Sequence, residues 1–260
     1  MTVRSIAVCC DDAGWDEAND HAIEALAHAG RLSAVSVLAQ GPVARRWRDA
    51  PAGVAVGLHL NLTWRPGEPS AGLGGLIARA YAHRLDATAL DARIAEQLQA
   101  FESAVGRAPD FVDGHQHVHQ LPQVRGALQA ALLARYGAAG RPALRVPRTS
   151  TWRGGKAQVL NLLGASALGR ELARTQWPRN RDFAGAYDFN PGADYRQHMQ
   201  AWLRTIADGG LIMVHPGSAS ALEHSAARVA EADYLGGPLW PEDLRANGVV
   251  LQPFTADRYR

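Results

Sequence analysis

Cysteine is almost absent from this chain of 260 residues; Cys9 and Cys10 are the only two. They are neighbours in an apolar run, and successive strand side chains point to opposite faces, so they cannot bridge each other. A chain without a disulfide framework suits a reducing compartment. Long hydrophobic runs are also absent, none approaching the roughly 20 residues that cross a bilayer. Only about six apolar residues precede Asp11, fewer than the roughly 7–15 of a signal-peptide core. These absences predict a soluble, cytoplasmic protein with no membrane span. Nor does one sign of charge dominate: 27 basic and 25 acidic side chains leave +2. That balance carries no electrostatic footprint for nucleic acid. The local density at Arg45, Arg46 and Arg48 reads as a solvated helix face. Familiar catalytic signatures are missing as well. There is no G-x-S-x-G elbow and no H-E-x-x-H. Gly154-Gly155-Lys156-Ala157 lacks the remainder of a phosphate-binding loop, and Gly72-Leu73-Gly74-Gly75 misses the dinucleotide fingerprint.

What is present is a hydrophobic fraction of 47%, enough for a sizeable core. Apolar runs read as strands at Ile6–Cys10, Ala34–Leu38, Val54–Leu60, Phe111–Val112, Ala143–Val146, Leu211–Val214 and Val249–Leu251. Helical periodicity separates most of them, at Glu17–Ala29, Asp91–Val105, Val124–Tyr136 and Tyr195–Ala207. In the second of these, Leu90, Ile94, Leu98, Phe101 and Val105 recur at spacings of four and three. Strands alternating with helices predict an α/β fold with a parallel sheet. About seven mainly parallel strands suggest a distorted, incomplete β/α barrel; an open doubly wound sheet is the alternative. We expect one domain over residues 1–260, with loop insertions near 64–75 and 149–191. The second insertion contains a short apolar helix candidate at Val159–Leu172. Both could wall a site, since long loops in compact domains are often functional.

Polar residues stand at the ends of four apolar runs. Asp11-Asp12 closes the first; alone it also reads as a turn and helix cap. His59 lies inside the third, with Asn61 and Thr63 on the same strand face. The stretch Asp113-Gly114-His115-Gln116-His117-Val118-His119 follows the fourth. As a strand it would aim all three imidazoles one way; as a helix, only His115 and His119. His215-Pro216-Gly217 follows Leu211–Val214 and suits a catalytic acid or base. Arg145 is charged within a strand-like run and needs a carboxylate partner, with Asp11 and Asp113 as candidates. Strand ends of an α/β protein converge on one rim, where carboxylates and imidazoles can hold a divalent metal. His115, nearest Asp113, is the first choice among its cluster as ligand. Trp15, Trp64, Trp152 and Trp177 could stack on sugar rings, although ordinary packing explains at least two of them.

Taken together and in order, these segments resemble the YdjC-like carbohydrate deacetylases, a family of chitooligosaccharide deacetylases and hopanoid-associated relatives. Its pattern is D-D-F-G, then G-L-H-L-N-L-T, D-[SG]-H-Q-H-V-H, R-x-P and H-P-G. Here stand Asp11-Asp12-Ala13-Gly14, Gly57-Leu58-His59-Leu60-Asn61-Leu62-Thr63, Asp113 to His119, Arg145-Val146-Pro147 and His215-Pro216-Gly217. The resemblance runs from about residue 5 to residue 217, and the stretch from Arg228 to Leu235 extends it. Ala13 replaces a phenylalanine, which would remove an aromatic near the site. The resemblance implies a fold related to polysaccharide deacetylases and a metal-dependent hydrolase that removes an N-acetyl group from an amino sugar, chitooligosaccharide or lipid-linked glucosamine. It implies Asp12, His59 and His115 as ligands of one divalent ion, whether Zn, Mg, Mn or Co. Asp11 would be the base, His215 the acid, and Arg145 would orient Asp11. Asn61, Asp113, His117 and His119 are left as substrate contacts or supports of the ligands. Two other readings stay open: another metallohydrolase on a β/α barrel, and a non-catalytic sugar-binding module. The sequence does not decide oligomeric state; a homodimer is one option.

Overall fold

The computed structural model describes residues 2–64, 72–190, 194–219 and 224–260. Along the chain run β1 (Arg4–Ala13), α1 (Glu17–His28), β2 (Ala34–Val37), β3 (Ala55–Leu60), α2 (Leu73–Tyr81), α3 (Ala87–Val105) and β4 (Phe111–Gly114). Then follow α4 (Val124–Gly140), β5 (Ala143–Leu144), α5 (Gly155–Leu160), α6 (Ser166–Arg174), β6 (Phe183–Ala184), α7 (Tyr195–Thr205) and β7 (Leu211–Val214). The last elements are α8 (Ser225–Gly236), α9 (Leu239–Ala246) and β8 (Val249–Leu251). No helix among the described residues is long and apolar enough to cross a membrane.

The strands form one parallel sheet in the order β5-β4-β3-β2-β1-β7-β6, with β8 beside the start of β1. Its two edges meet through a single bridge, Leu144 to Arg179. Above that bridge a side chain replaces the backbone ladder. Asn180 Oδ1 accepts from the Val146 amide at 2.7 Å, and its Nδ2 donates to the Val146 carbonyl at 2.9 Å. This seam is what makes the barrel distorted and incomplete. The bridge that brings the two edges together sets this incomplete barrel apart from the open doubly wound sheet.

Strand side chains alternate between two cores. Ile6, Val8 and Cys10 of β1 face the helix layer, while Ala7 and Cys9 face the barrel axis. The axial core mixes small residues, such as Ala34, Ala55 and Ala143, with Phe111, Phe183 and Phe254. Gly57 makes room for Phe111, because a Cβ there would lie 2.5 Å from its ring. Phe254 and Tyr259, near the C-terminus, plug the axis against Phe111. On the outside, α3 buries Leu90, Ile94, Leu98, Phe101 and Val105. It begins with Asp86 accepting from the Ala89 amide at 3.0 Å and ends at Gly106 in the left-handed region.

Three segments differ from the sequence reading. Of the loop expected at 64–75, residues 65–71 lie outside the described residues, and Leu73 already starts α2. The stretch 149–191 is largely built: it carries α5, a single π-helical turn at Asn161–Ala165, α6 and strand β6. Ala13 packs into the helix-layer core with no exposed surface, so the missing aromatic is not a wall of the rim.

Gly57→Ala drives a methyl group into the Phe111 ring, an overpacking that costs about 1–3 kcal/mol. Thermal unfolding should show a melting point lowered by several degrees; an unchanged one would mean that Phe111 has room to move.

Candidate metal centre and active site

Each inward series, followed two residues past an axial residue, reaches a polar side chain. Ser36 follows Ala34, His59 follows Gly57, Asp113 follows Phe111, Arg145 follows Ala143, and His215 follows Met213. The strands are parallel, so these positions share one rim. Asp11 arrives by the same alternation after Cys9. Asp12 does not; alternation would send it toward the helices. Its backbone takes a left-handed turn, φ 64°, and the β1–β2 register shifts between Cys10 and Ala13. That bulge turns two adjacent carboxylates to the same rim. The turn beyond it is held by Asp20, whose carboxylate accepts from the Gly14 amide at 2.9 Å and from Trp47 Nε1 at 2.8 Å.

Asp12 Oδ1 lies 2.9 Å from His115 Nδ1 and 3.4 Å from His59 Nε2. The three residues offer ligand atoms all within 4.8 Å of one another. Atoms bound about 2.0–2.2 Å from one ion in tetrahedral fashion stand roughly 3–3.5 Å apart, a spacing that the two contacts to Asp12 match. The far sides of two of these three residues are braced. Arg228 Nη2 donates to Asp12 Oδ2 at 2.5 Å. His59 Nδ1 is 2.7 Å from Asp113 Oδ1, which also accepts from Ser36 Oγ at 2.5 Å. Such a carboxylate behind a ligand imidazole sets its tautomer and orientation. Charge fits too: three buried carboxylates, Asp11, Asp12 and Asp113, face two buried guanidiniums, Arg145 and Arg228. The negative charge left over is balanced by a proton on His59 in the free protein, or by a cation that takes that proton's place. Burial pulls His59 down, but the charges of Asp113 and Asp11 and hydrogen bonds to Asp113 and Asp12 lift it to about 10. Burial likewise opposes ionised Asp12, yet His115, His59 and Arg228 hold it well below the usual carboxylate range. Cys9, Asp11 and Asp113 also lie close together. They make no second metal site, because Arg145 occupies both carboxylates and burial keeps the thiol protonated.

Arg145 has no exposed surface. It grips Asp11 with two parallel hydrogen bonds, Nη1 to Oδ1 at 2.6 Å and Nη2 to Oδ2 at 2.8 Å. Its Nη1 also lies 3.1 Å from Asp113 Oδ2. Both carboxylates named as candidate partners are therefore used. The His215 amide donates to Glu231 Oε2 at 2.6 Å, which fixes the turn after β7. Burial pulls the His215 imidazole down to about 4, although Asp11 and Asp12 pull it upward.

The histidine cluster is neither strand nor α-helix. His115–Gln120 is a 3-10 turn with Gln116 and His117 in the left-handed region, so its imidazoles diverge. His115 reaches Asp12. His119 is wholly buried, and its Nε2 lies 2.9 Å from the Arg145 carbonyl. A carbonyl only accepts, so that nitrogen carries the proton. His117 sits edge-on to Phe183 and lines a neighbouring cavity. Asn61 shapes its own turn, Oδ1 accepting from the Thr63 and Trp64 amides at 3.0 and 3.1 Å. Asn61, Asp113 and His119 thus bond to protein atoms, as supports of the turn and of the neighbouring side chains. Trp15 and Trp64 stack at 5.2 Å, with Trp15 beside the His115 ring. Trp177 is core and Trp152 is exposed.

Sequence reasoning passed over Ser36, Arg228 and Glu231. The signal for the last two was present: charged residues three apart on a helix whose buried face is otherwise Ala227, Tyr234 and Leu235.

A parallel barrel with an Asp-His-His group at its strand ends defines a class, the polysaccharide-deacetylase fold. The fold is shared with a crystal structure from Enterococcus faecalis, provisionally named a cellobiose-phosphate cleavage protein: TM-score 0.67, 16% identity, 97% of this chain and 98% of that one. It is shared too with a family 4 acetyl xylan esterase from Clostridium thermocellum, solved with a cobalt ion: TM-score 0.50, 13% identity, 99% and 97% covered. The sequence carries the assignment further. The family described as YdjC-like protein matches residues 5–246, and this chain belongs to it. Among its relatives are a carbohydrate deacetylase of Homo sapiens, 31% identical over 51% of this chain and 46% of that protein. A chitooligosaccharide deacetylase of Escherichia fergusonii is 29% identical over 57% and 62%. The matched stretches thus span about half the length of these relatives.

His59→Ala should abolish tight binding of a divalent ion, and Arg228→Met, which strips Asp12 Oδ2 of its donor, should weaken it about 10–100-fold. Because a proton competes for His59, affinity should also fall as pH falls below about 10. Calorimetric titration reads all three; full occupancy in His59→Ala removes it from the ligand set.

Proposed function

We propose that this chain is a divalent-metal-dependent hydrolase that removes the acetyl group from an N-acetylated amino sugar. The observation that carries the reading is the rim itself. A three-residue donor set, an arginine-clamped carboxylate and a buried imidazole lie together at the strand ends. The family's deacetylases support the choice of substrate class. Asp12, His59 and His115 would hold the ion. Imidazoles with one carboxylate suit zinc, and cobalt, manganese or magnesium remain compatible. When bound, such an ion lowers the pKa of water toward about 7 and polarises a carbonyl.

The chain's own groups would do the rest. Arg145 fixes both oxygens of Asp11, so the carboxylate is held in one orientation, and Asp11 takes the proton of the attacking water through a lone pair that the guanidinium leaves free. His215 gives a proton to the leaving nitrogen. In the free protein burial keeps this imidazole neutral near pH 7. Negative charge on the substrate beside it would raise its proton affinity, so that it takes a proton from solvent and passes it to the leaving nitrogen. Glu231, accepting from the His215 amide, holds the turn that aims it. Free Cys9 and Cys10, both buried, suit the cytoplasmic location we assign.

Asp11→Asn should retain the metal and lose roughly 10²–10⁴-fold in turnover. As the acid, His215 is active when protonated, so activity should fall as pH rises through its pKa in the substrate complex. His215→Asn should remove that alkaline limb along with most of the rate. Metal content and pH–rate profiles of both variants check this; wild-type turnover in Asp11→Asn would rule out Asp11 as the base.

A further inference from the structure

Arg46, Arg107, Arg125, Arg135, Arg153 and Arg196 each meet a carboxylate within 2.9 Å. Arg148, Arg170, Arg179 and Arg181 form no ion pair among the described residues, and they stand together. All four line one cavity of about 490 Å³, and no aspartate or glutamate among the described residues lines it with them.

This cavity lies outside the barrel, over the seam between β5 and β6. Val146 and Asn180, the two residues bonded across the seam, belong to its wall. Val146 faces the helix-layer core, whereas Arg145, one residue earlier, serves the rim. The cavity and the rim are therefore on opposite faces of the same stretch of chain. Arg179 and Arg181 flank Asn180, and Arg148 follows Val146 by two residues. Arg170 comes from α6. Gly169 lets that helix approach, since a Cβ there would lie 3.3 Å from Val146 Cγ1 and 3.9 Å from Arg148 Cδ. Arg179 is half-buried and donates to the Trp177 carbonyl at 3.0 Å. The other three are exposed, and their guanidiniums make no hydrogen bond among the described residues. Burial and the charge of Arg181 push Arg179 below the usual arginine range.

Four like charges held together without a counter-charge repel one another, and an anion relieves them. Guanidiniums grip phosphate oxygens through paired N–H groups. One phosphate group brings about 1.5–2 negative charges near neutral pH, so four guanidiniums match two or three such groups joined. The volume is that of a small-molecule site, roughly 300–1,000 Å³. With only +2 on the whole chain, the positive field is a local one and not a long basic face for a polymer to follow. We propose that the seam cavity is a second ligand site, separate from the rim, that takes an oligophosphate, the chemistry shared by free inorganic chains and nucleoside di- and triphosphates. The site does not depend on the deacetylase reading.

Equilibrium dialysis, which reads the anion itself, tests it with orthophosphate, pyrophosphate, tripolyphosphate and ATP. Tripolyphosphate should bind at least about tenfold more tightly than orthophosphate, and its affinity should fall as ionic strength rises from about 0.01 to 0.15 M. Arg170→Gln and Arg181→Gln each remove a charged hydrogen-bonding partner from an exposed position, and each should weaken tripolyphosphate about tenfold. Arg45→Gln, exposed and outside the cavity, should change nothing. ATP bound as tightly as tripolyphosphate or more so upholds the proposal with a nucleotide as the source; ATP bound more weakly upholds it with a free chain. Orthophosphate bound as tightly as tripolyphosphate, or a chain-length gain that survives both cavity variants, overturns the proposal. A single-stranded oligonucleotide bound more tightly than tripolyphosphate overturns it too, in favour of nucleic acid.

Discussion

One enclosed guanidinium organises the rim. Arg145 arrives from the end of β5, takes both oxygens of Asp11 from β1, and touches Asp113 from β4. A charge with no access to water must be paired, and deleting one partner of such a pair costs about 3–5 kcal/mol. The contact therefore fixes three strand ends relative to one another. From Asp113 the chain of contacts passes to His59, from His59 to Asp12, and from Asp12 to His115 and Arg228. The proposed base and the proposed metal ligands belong to one electrostatic network, which couples their positions.

The second constraint is the bulge at Asp12. A non-glycine residue in the left-handed region is strained, by roughly 1–3 kcal/mol, although aspartate tolerates it better than most. The strain persists because the network holds the carboxylate on both sides. Its consequence is chemical. A regular strand would have put one of two adjacent carboxylates among the helices; the bulge places Asp11 and Asp12 side by side on the rim.

How legible this was in the sequence follows from the same physics. Strands buried on both faces read as apolar runs, so β1, β3 and β7 stood out, as did α3 with its regular spacing. Asp11, Asp12, His59, His115, Arg145 and His215 were visible because each interrupts or ends such a run. Strand β6 was not visible: it is two residues long and owes its place to its pairing with β7 and to the Asn180 seam. The divergence of His115, His117 and His119 depends on left-handed backbone at Gln116 and His117, which neither a strand nor a helix template contains. Arg228 reaches Asp12 from a helix 216 positions away, a contact that no local spacing encodes.

The proposed activity is cleavage of an acetamide at this rim with a divalent ion bound. The most direct measurement is acetate release from N-acetylglucosamine oligomers and glycosides by the metal-loaded protein, by the chelated protein, and by the protein reloaded after chelation. The account predicts release that chelation stops and reloading restores. Release that persists undiminished in fully stripped protein would contradict it.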